Sequence, residues 1–230
     1  MSAFRAYRAL VRKDLAVELR RPEMLSSMLL YAVLVLVVFG VALAGAEAAD
    51  VLEIASGLLW ALVVFTSLLG LARSMSRERE RGCLDGLLAA PVSRGVLYLA
   101  KFTVNLVFLL AVEIVVVPLF CVFLLSGAEF APSAPVAIAV ILVGTVGVSA
   151  VGTLLAAVSS STSGGEVMLS VLFIPVVFPL LYACVSATGA VVSGADGWAQ
   201  TLRVGLALAV GYDAIMLAVS WLLYDFAVSE

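Results

Sequence analysis

Six stretches of this 230-residue chain stay apolar for long enough to cross a lipid bilayer. A helix rising about 1.5 Å per residue needs about 20 mostly apolar residues to span the hydrocarbon core. Runs near Ser26–Gly45, Ile54–Ala72, Tyr98–Ser126, Ala134–Val158, Val167–Ala187 and Trp198–Tyr224 meet that length. Lipid offers no hydrogen bonds, so each run must satisfy its own backbone as a helix, despite its many Val and Ile residues. The expected fold is an all-α integral membrane protein, a single transmembrane domain over residues 1–230. A soluble fold is excluded by composition, since 64% of residues are hydrophobic and 13% charged, against roughly 45–50% and 25% in an average soluble domain. The third and sixth runs are long enough to tilt or to continue beyond the lipid. Ala42-Leu43-Ala44 resembles a small-x-small cleavage site, but the run before it is longer than the apolar core of a signal peptide, so it is expected to remain as a span.

Charge placement sets the orientation. Of the 13 Lys and Arg residues, Arg5, Arg8, Arg12, Lys13, Arg20 and Arg21 precede the first span. Arg73, Arg77, Arg79, Arg81, Arg94 and Lys101 lie between the second and third, and Arg203 stands alone near the outer end of the sixth. Short loops rich in Lys and Arg stay in the cytoplasm, so the N-terminus, the segment 73–97 and, after six spans, the C-terminus are expected there. Basic residues confined to two clusters leave no nucleic-acid footprint. Over Phe4–Arg20, Phe4, Tyr7, Val11 and Leu15 recur at helical spacing beside Arg5, Arg8 and Arg12. Residues 1–22 are therefore expected to form an amphipathic helix in the headgroup layer, with Pro22 turning the chain into the first span. The alternative is a basic tail that only sets topology.

The candidate chemistry is sparse. Glu113 lies midway along the third span and Asp213 midway along the sixth. A charge at the bilayer centre costs about 3 kcal/mol on insertion scales, so such groups turn toward a cavity, a partner or each other. Counting helical rise puts Glu113 about 22 Å and Asp213 about 16 Å from the cytoplasmic ends of their spans. That difference is within reach of two side chains or one water. The two carboxylates line a pathway or subunit interface, or else they are protonated and bonded to nearby hydroxyls. Asn105 is expected to bond between helices, and Pro175 and Pro179 to kink the fifth span. Small-residue pairs Gly40/Ala44, Ser149/Thr153, Gly205/Ala209 and Ala207/Gly211 would let helices approach closely.

The chain has no histidine, which removes the commonest haem and metal ligand and the usual general base. Cys83, Cys121 and Cys184 form no CxxC pair or disulfide framework. There is no GxxxxGK[ST] phosphate loop and no catalytic constellation, so no enzyme is expected and any ATP hydrolysis belongs to another chain. No metal site and no bound cofactor are expected.

The segment Arg77–Lys101 is the sizeable polar stretch between two spans. Alternating charges over Arg77–Arg81 lead to Gly82; Leu84, Leu87 and Leu88 make a short apolar face; Pro91 ends it. Such an element suits docking into a groove of a cytoplasmic partner, or lies as a solvated loop at the interface. With Glu78, Arg79, Glu80, Gly82, Cys83, Leu84, Asp85, Leu87, Leu88 and Pro91 in register, it resembles the E-R-E-x-G-T-L-E-x-L-L-x-x-P pattern of ABC-2 family membrane subunits. Cys83 stands for the usual Thr or Ser, and Asp85 for Glu.

Within that family the chain is most similar to the haem exporter B (CcmB) branch. The likeness rests on the opening YRALVRKDLAVELRR at Tyr7–Arg21, Trp60, GTVGVSAVGTLLAA at Gly144–Ala157 and LFIPVVFPLL at Leu172–Leu181. The loop reads E-R-G where that branch has a more acidic E-D-G. The resemblance implies a subunit of the prokaryotic inner (cytoplasmic) membrane acting in c-type cytochrome biogenesis. It further implies that Glu78–Pro91 contacts an ATP-binding subunit, with ATP on that partner and haem as cargo of the complex. Other partners would be further cytochrome c maturation membrane subunits or a second copy of the chain. The rival readings are an ABC-2 permease for a drug, lipid or polysaccharide, and a membrane scaffold without transport.

Overall fold

A computed structural model describes residues 3–80, 93–125, 134–160, 165–194 and 196–227. These residues form helices α1 (Ala3–Arg20), α2 (Glu23–Ala42), α3 (Ala48–Glu80), α4 (Arg94–Leu124), α5 (Ala134–Ser160), α6 (Gly165–Ser193) and α7 (Trp198–Ala227), with no strand among them. Six of the helices carry segments long and apolar enough to cross a membrane: Glu23–Ala42, Ala48–Arg73, Arg94–Leu124, Pro135–Ser159, Val167–Ser193 and Trp198–Asp225. The chain is an all-helical, multi-pass membrane protein.

Several boundaries differ from the sequence expectation. α3 begins at Ala48 instead of Ile54, and it runs past Ala72 to Glu80. Hydropathy registers the lipid boundary and not the end of the helix. Asp50 in the first turn favours the positive helix terminus, and the Arg and Glu residues at the other end are good helix formers. Residues 73–80 and 94–97, expected within a loop spanning 73–97, are helical. α6 likewise extends to Ser193, beyond the expected Ala187.

Helices α5, α6 and α7 pack on one another, α3 lies against α5 and α6, and α4 bridges α2, α3, α5 and α7. The most buried spans are α3 and α5; α2 and α7 are the most exposed. Trp60, Phe120, Phe173 and Met28 fill the interior, while Leu30, Ile114, Val167 and Phe178 face outward. Both surfaces are apolar, but the interior is the more polar, holding Thr66, Ser67, Thr145, Ser149 and Thr153. That arrangement suits a lipid surround, since a hydroxyl turned inward finds a partner on a neighbouring helix or on a carbonyl of its own helix.

Close approach depends on small residues. A Cβ at Gly205 of α7 would sit 2.8 Å from the Ala183 carbonyl oxygen of α6, and Ala209 is buried in the same seam. Ser149 and Thr153 are buried against α4. The other expected pairs do not mark such seams. Ala207 and Gly211 face away from the bundle, and Gly40 meets only the Phe123 ring.

Candidate functional site

The first group of candidate side chains sits at the bundle end where α1 and the start of α4 meet. α1 presents one stripe to the protein: Ala6, Tyr7, Leu10, Val11, Asp14, Leu15 and Glu18 are buried or half-buried. The Tyr7 hydroxyl and Thr103 Oγ1 are hydrogen-bonded at 2.9 Å. Lys101 Nζ donates to Asp14 Oδ2 at 2.8 Å, with the two side chains 7% and 15% exposed. α2 starts after Pro22 with no cap from its own N-cap side chain. Glu18 supplies one from α1, its Oε1 accepting the Met24 and Leu25 N–H groups at 2.9 and 3.0 Å. Arg94, first residue of α4, donates to the Asp225 carbonyl at 2.7 Å and pairs with its carboxylate at 3.2 Å. The C-terminal end of α7 and the buried stripe of α1 are thereby tied to the first three turns of α4. The amphipathic helix expected over residues 1–22 exists, but its buried stripe includes two acids, and Phe4 points outward at 71% exposure.

This end adjoins the segment expected to contact an ATP-binding subunit. Glu78, Arg79 and Glu80 close α3, with side chains outside the described residues; Gly82, Leu84, Asp85, Leu87, Leu88 and Pro91 also lie outside them.

The second group lines α5 within the membrane. Asn105 of α4 donates to Thr153 Oγ1 at 2.9 Å, and Thr153 donates to the Ser149 carbonyl. Two turns along α4, the Glu113 carboxyl lies 2.7 and 2.9 Å from Thr145 Oγ1, which also reaches the Ile141 carbonyl at 2.8 Å. Asp213 of α7 lies against Gly147, where an added methyl would collide with its Oδ1 and with Leu180. Thr145 and Gly147 are two residues apart, so their side-chain directions differ by about 200° around the helix. Glu113 and Asp213 therefore approach opposite faces of α5, and the expectation that they reach each other is corrected. Equal depth did not imply a shared face. Asp213 Oδ1 is buried and accepts no hydrogen bond from a described residue.

α6 is continuous through Pro175 and Pro179, and α4 also contains Pro118. Tyr212, beside Asp213, donates to the Val176 carbonyl at 2.6 Å, giving the proline-bounded stretch a partner from α7. Trp60 Nε1 donates to Thr188 Oγ1 at 3.0 Å, and its ring occupies the space that a side chain at Gly144 would need. One turn from the Glu113–Thr145 pair, a cavity of about 210 Å³ opens between α3, α4, α5 and α6, walled by Ser56, Val117, Cys121, Ile141 and Thr188. Among the described residues no three of Cys, Asp and Glu converge as a metal-binding group. Asp14, Glu18, Thr145 and Thr188 were not singled out from the sequence. A signal for the first two was present: both fall on the Tyr7–Val11 stripe, where an acid has no place unless it is paired.

Six membrane-crossing helices, joined inside by hydroxyl, amide and carboxyl contacts, define a polytopic membrane protein. A family model described as "CcmB protein" matches residues 5–228. The chain belongs to the CcmB family. It is 30% identical over 213 residues to a protein of Rhodobacter capsulatus named heme exporter protein B, covering 92% of this chain and 93% of that one. A protein of Pseudomonas aeruginosa with the same name is 26% identical over 172 residues, 75% of each chain.

Proposed function

We propose that this chain is the membrane subunit of an ABC-type complex that handles haem for c-type cytochromes, driven by ATP hydrolysis on a separate subunit. The observation that carries the reading is the family match over residues 5–228, joined by relatives named for haem export along most of their length. In this reading the N-terminus, the segment joining α3 to α4 and the C-terminus lie in the cytoplasm of a prokaryotic cell, and the spans cross its inner membrane. The ATP-binding partner engages Glu78, Arg79, Glu80, Gly82, Leu84, Asp85, Leu87, Leu88 and Pro91.

Movement delivered there meets α4 at its first turn. Arg94 is tied to Asp225 and Lys101 to Asp14, so α4, α7 and α1 move together. The chain has no histidine, and most haem proteins need one on the axial position. Its role is then mechanical, with haem held by partner subunits: other cytochrome c maturation membrane proteins or a haem chaperone.

The test deletes the gene in its own host and measures haem-staining c-type cytochromes. They are expected to be lost and to return with the parent chain. Glu80→Lys, Asp85→Lys and Leu87→Asp are expected to insert normally yet lose co-purification with the ATPase subunit. Undiminished cytochromes after deletion would overturn the haem reading, and normal co-purification of all three variants would overturn the docking assignment.

A further inference from the structure

α1 sorts its charges by sign. Its two acids face the protein, Asp14 on Lys101 at 2.8 Å and Glu18, 3% exposed, on the N-terminus of α2. Lys13 is held by Asp14 at 3.0 Å. Arg5, Arg8, Arg12 and Arg20, with Arg21 just beyond, are all exposed, and none of them pairs with an acid among the described residues. Phe4 and Leu19 stand among them, 71% and 79% exposed. At 100° per residue, Phe4, Arg8, Leu19, Arg12, Arg5 and Arg20 fall within an arc of about 160°. Only Arg21 and Pro22 separate α1 from α2, a helix that crosses the membrane from Glu23. The exposed arc thus stands at headgroup depth.

We propose that this face of α1 is a binding surface for anionic phospholipids, its guanidiniums on the phosphodiesters and Phe4 and Leu19 in the acyl boundary. A guanidinium matches two phosphate oxygens at once, and a basic face with large apolar anchors is what holds a helix in the plane of a charged membrane. Preference for a net-negative lipid over a zwitterionic one follows from the burial of Asp14 and Glu18. With its acids turned inward, the arc carries positive charge alone. An acidic protein surface would also meet the charge, but it gives no place to Phe4 and Leu19, which project beside the arginines on a helix already joined to a lipid-crossing span. The inference does not depend on what the complex transports.

The experiment uses the purified full chain in neutral detergent, titrated with phosphatidylglycerol or phosphatidylcholine and read by native mass spectrometry. Each basic residue near an anionic surface strengthens binding about fivefold. The triple variant Arg5→Gln, Arg8→Gln, Arg12→Gln is therefore expected to weaken the tightest phosphatidylglycerol binding by about a hundredfold and to leave phosphatidylcholine binding unchanged. The matching triple lysine variant is expected to keep the preference, which separates loss of charge from loss of fold. Equal affinity of the parent chain for both lipids would overturn the proposal. So would unchanged phosphatidylglycerol binding by the glutamine variant, including the case in which that variant instead loses a co-purifying acidic protein.

Discussion

Lys101 lies within the third membrane-crossing helix and is held by Asp14 of the helix that precedes the first, Nζ to Oδ2 at 2.8 Å. The pair joins residues 87 positions apart, with little of either side chain exposed. It fixes α1 against the bundle and sets which side of α1 looks outward.

Removing one member of a buried ion pair costs about 3 kcal/mol. Asp14→Leu is expected to lower the thermal unfolding midpoint in detergent by the equivalent of that amount. Replacing both members, Asp14→Leu with Lys101→Met, is expected to recover most of it. A double variant as unstable as the single one would show that the pair is not the cause.

Gly144→Ala is expected to destabilise by about 1–3 kcal/mol, because the new methyl meets the Trp60 ring and Cys184. Trp60→Phe removes the bond to Thr188 and costs about 1 kcal/mol. Combined, the two should cost less than their sum, since the smaller ring makes room for the methyl. Chemical denaturation of the four proteins in one detergent measures the coupling.

The Thr145 hydroxyl has one proton for three nearby acceptors, two on Glu113 and one on Ile141. An amide at position 113 can donate to that hydroxyl and let it donate onward. Glu113→Gln is expected to keep both stability and c-type cytochrome yield, while Glu113→Leu loses stability. Loss of cytochromes in a stably folded Gln variant would assign the carboxyl a role beyond structure.

Tyr212→Phe removes the donor that α7 offers to the Val176 carbonyl. The expected result is faster amide hydrogen exchange between Pro175 and Leu181, with an overall loss of about 1 kcal/mol. Unchanged exchange there would mean that α6 holds its proline-bounded stretch unaided.

Orientation is tested by single cysteines in a chain lacking Cys83, Cys121 and Cys184. Ala48→Cys and Gln200→Cys are expected to react with an impermeant thiol reagent added outside intact cells, and Ala9→Cys to be shielded. The reverse pattern would invert the topology.

The six spans were legible because the apolar runs are long and bounded by charge, and lipid leaves a backbone no alternative to helix. What the sequence did not disclose was which faces meet. In a soluble helix the apolar stripe marks the interior. Here both sides of α2 and α7 are apolar, so periodicity carried little information about packing. Asn105 could be read as a bond between helices from its type alone. Glu113 and Asp213 could be placed in depth but not in azimuth, so their separation across α5 was hidden. Asp14 and Glu18 fall on the Tyr7–Val11 stripe and so could have been noticed, but their partners lie on other helices and could not be named from the sequence.

α3 is one unbroken helix from Ala48 to Glu80, about 50 Å of rod against about 30 Å of hydrocarbon. Its buried Trp60, fastened to Thr188, lies about 30 Å from Glu80 along the axis. The geometry is that of an oar in a rowlock. A swing of about 10° about Trp60 carries the Glu80 tip about 5 Å sideways, while side chains near the pivot hardly shift. Force applied at the tip therefore reaches the membrane interior geared down in distance, and a small rearrangement around Trp60 is magnified at the tip.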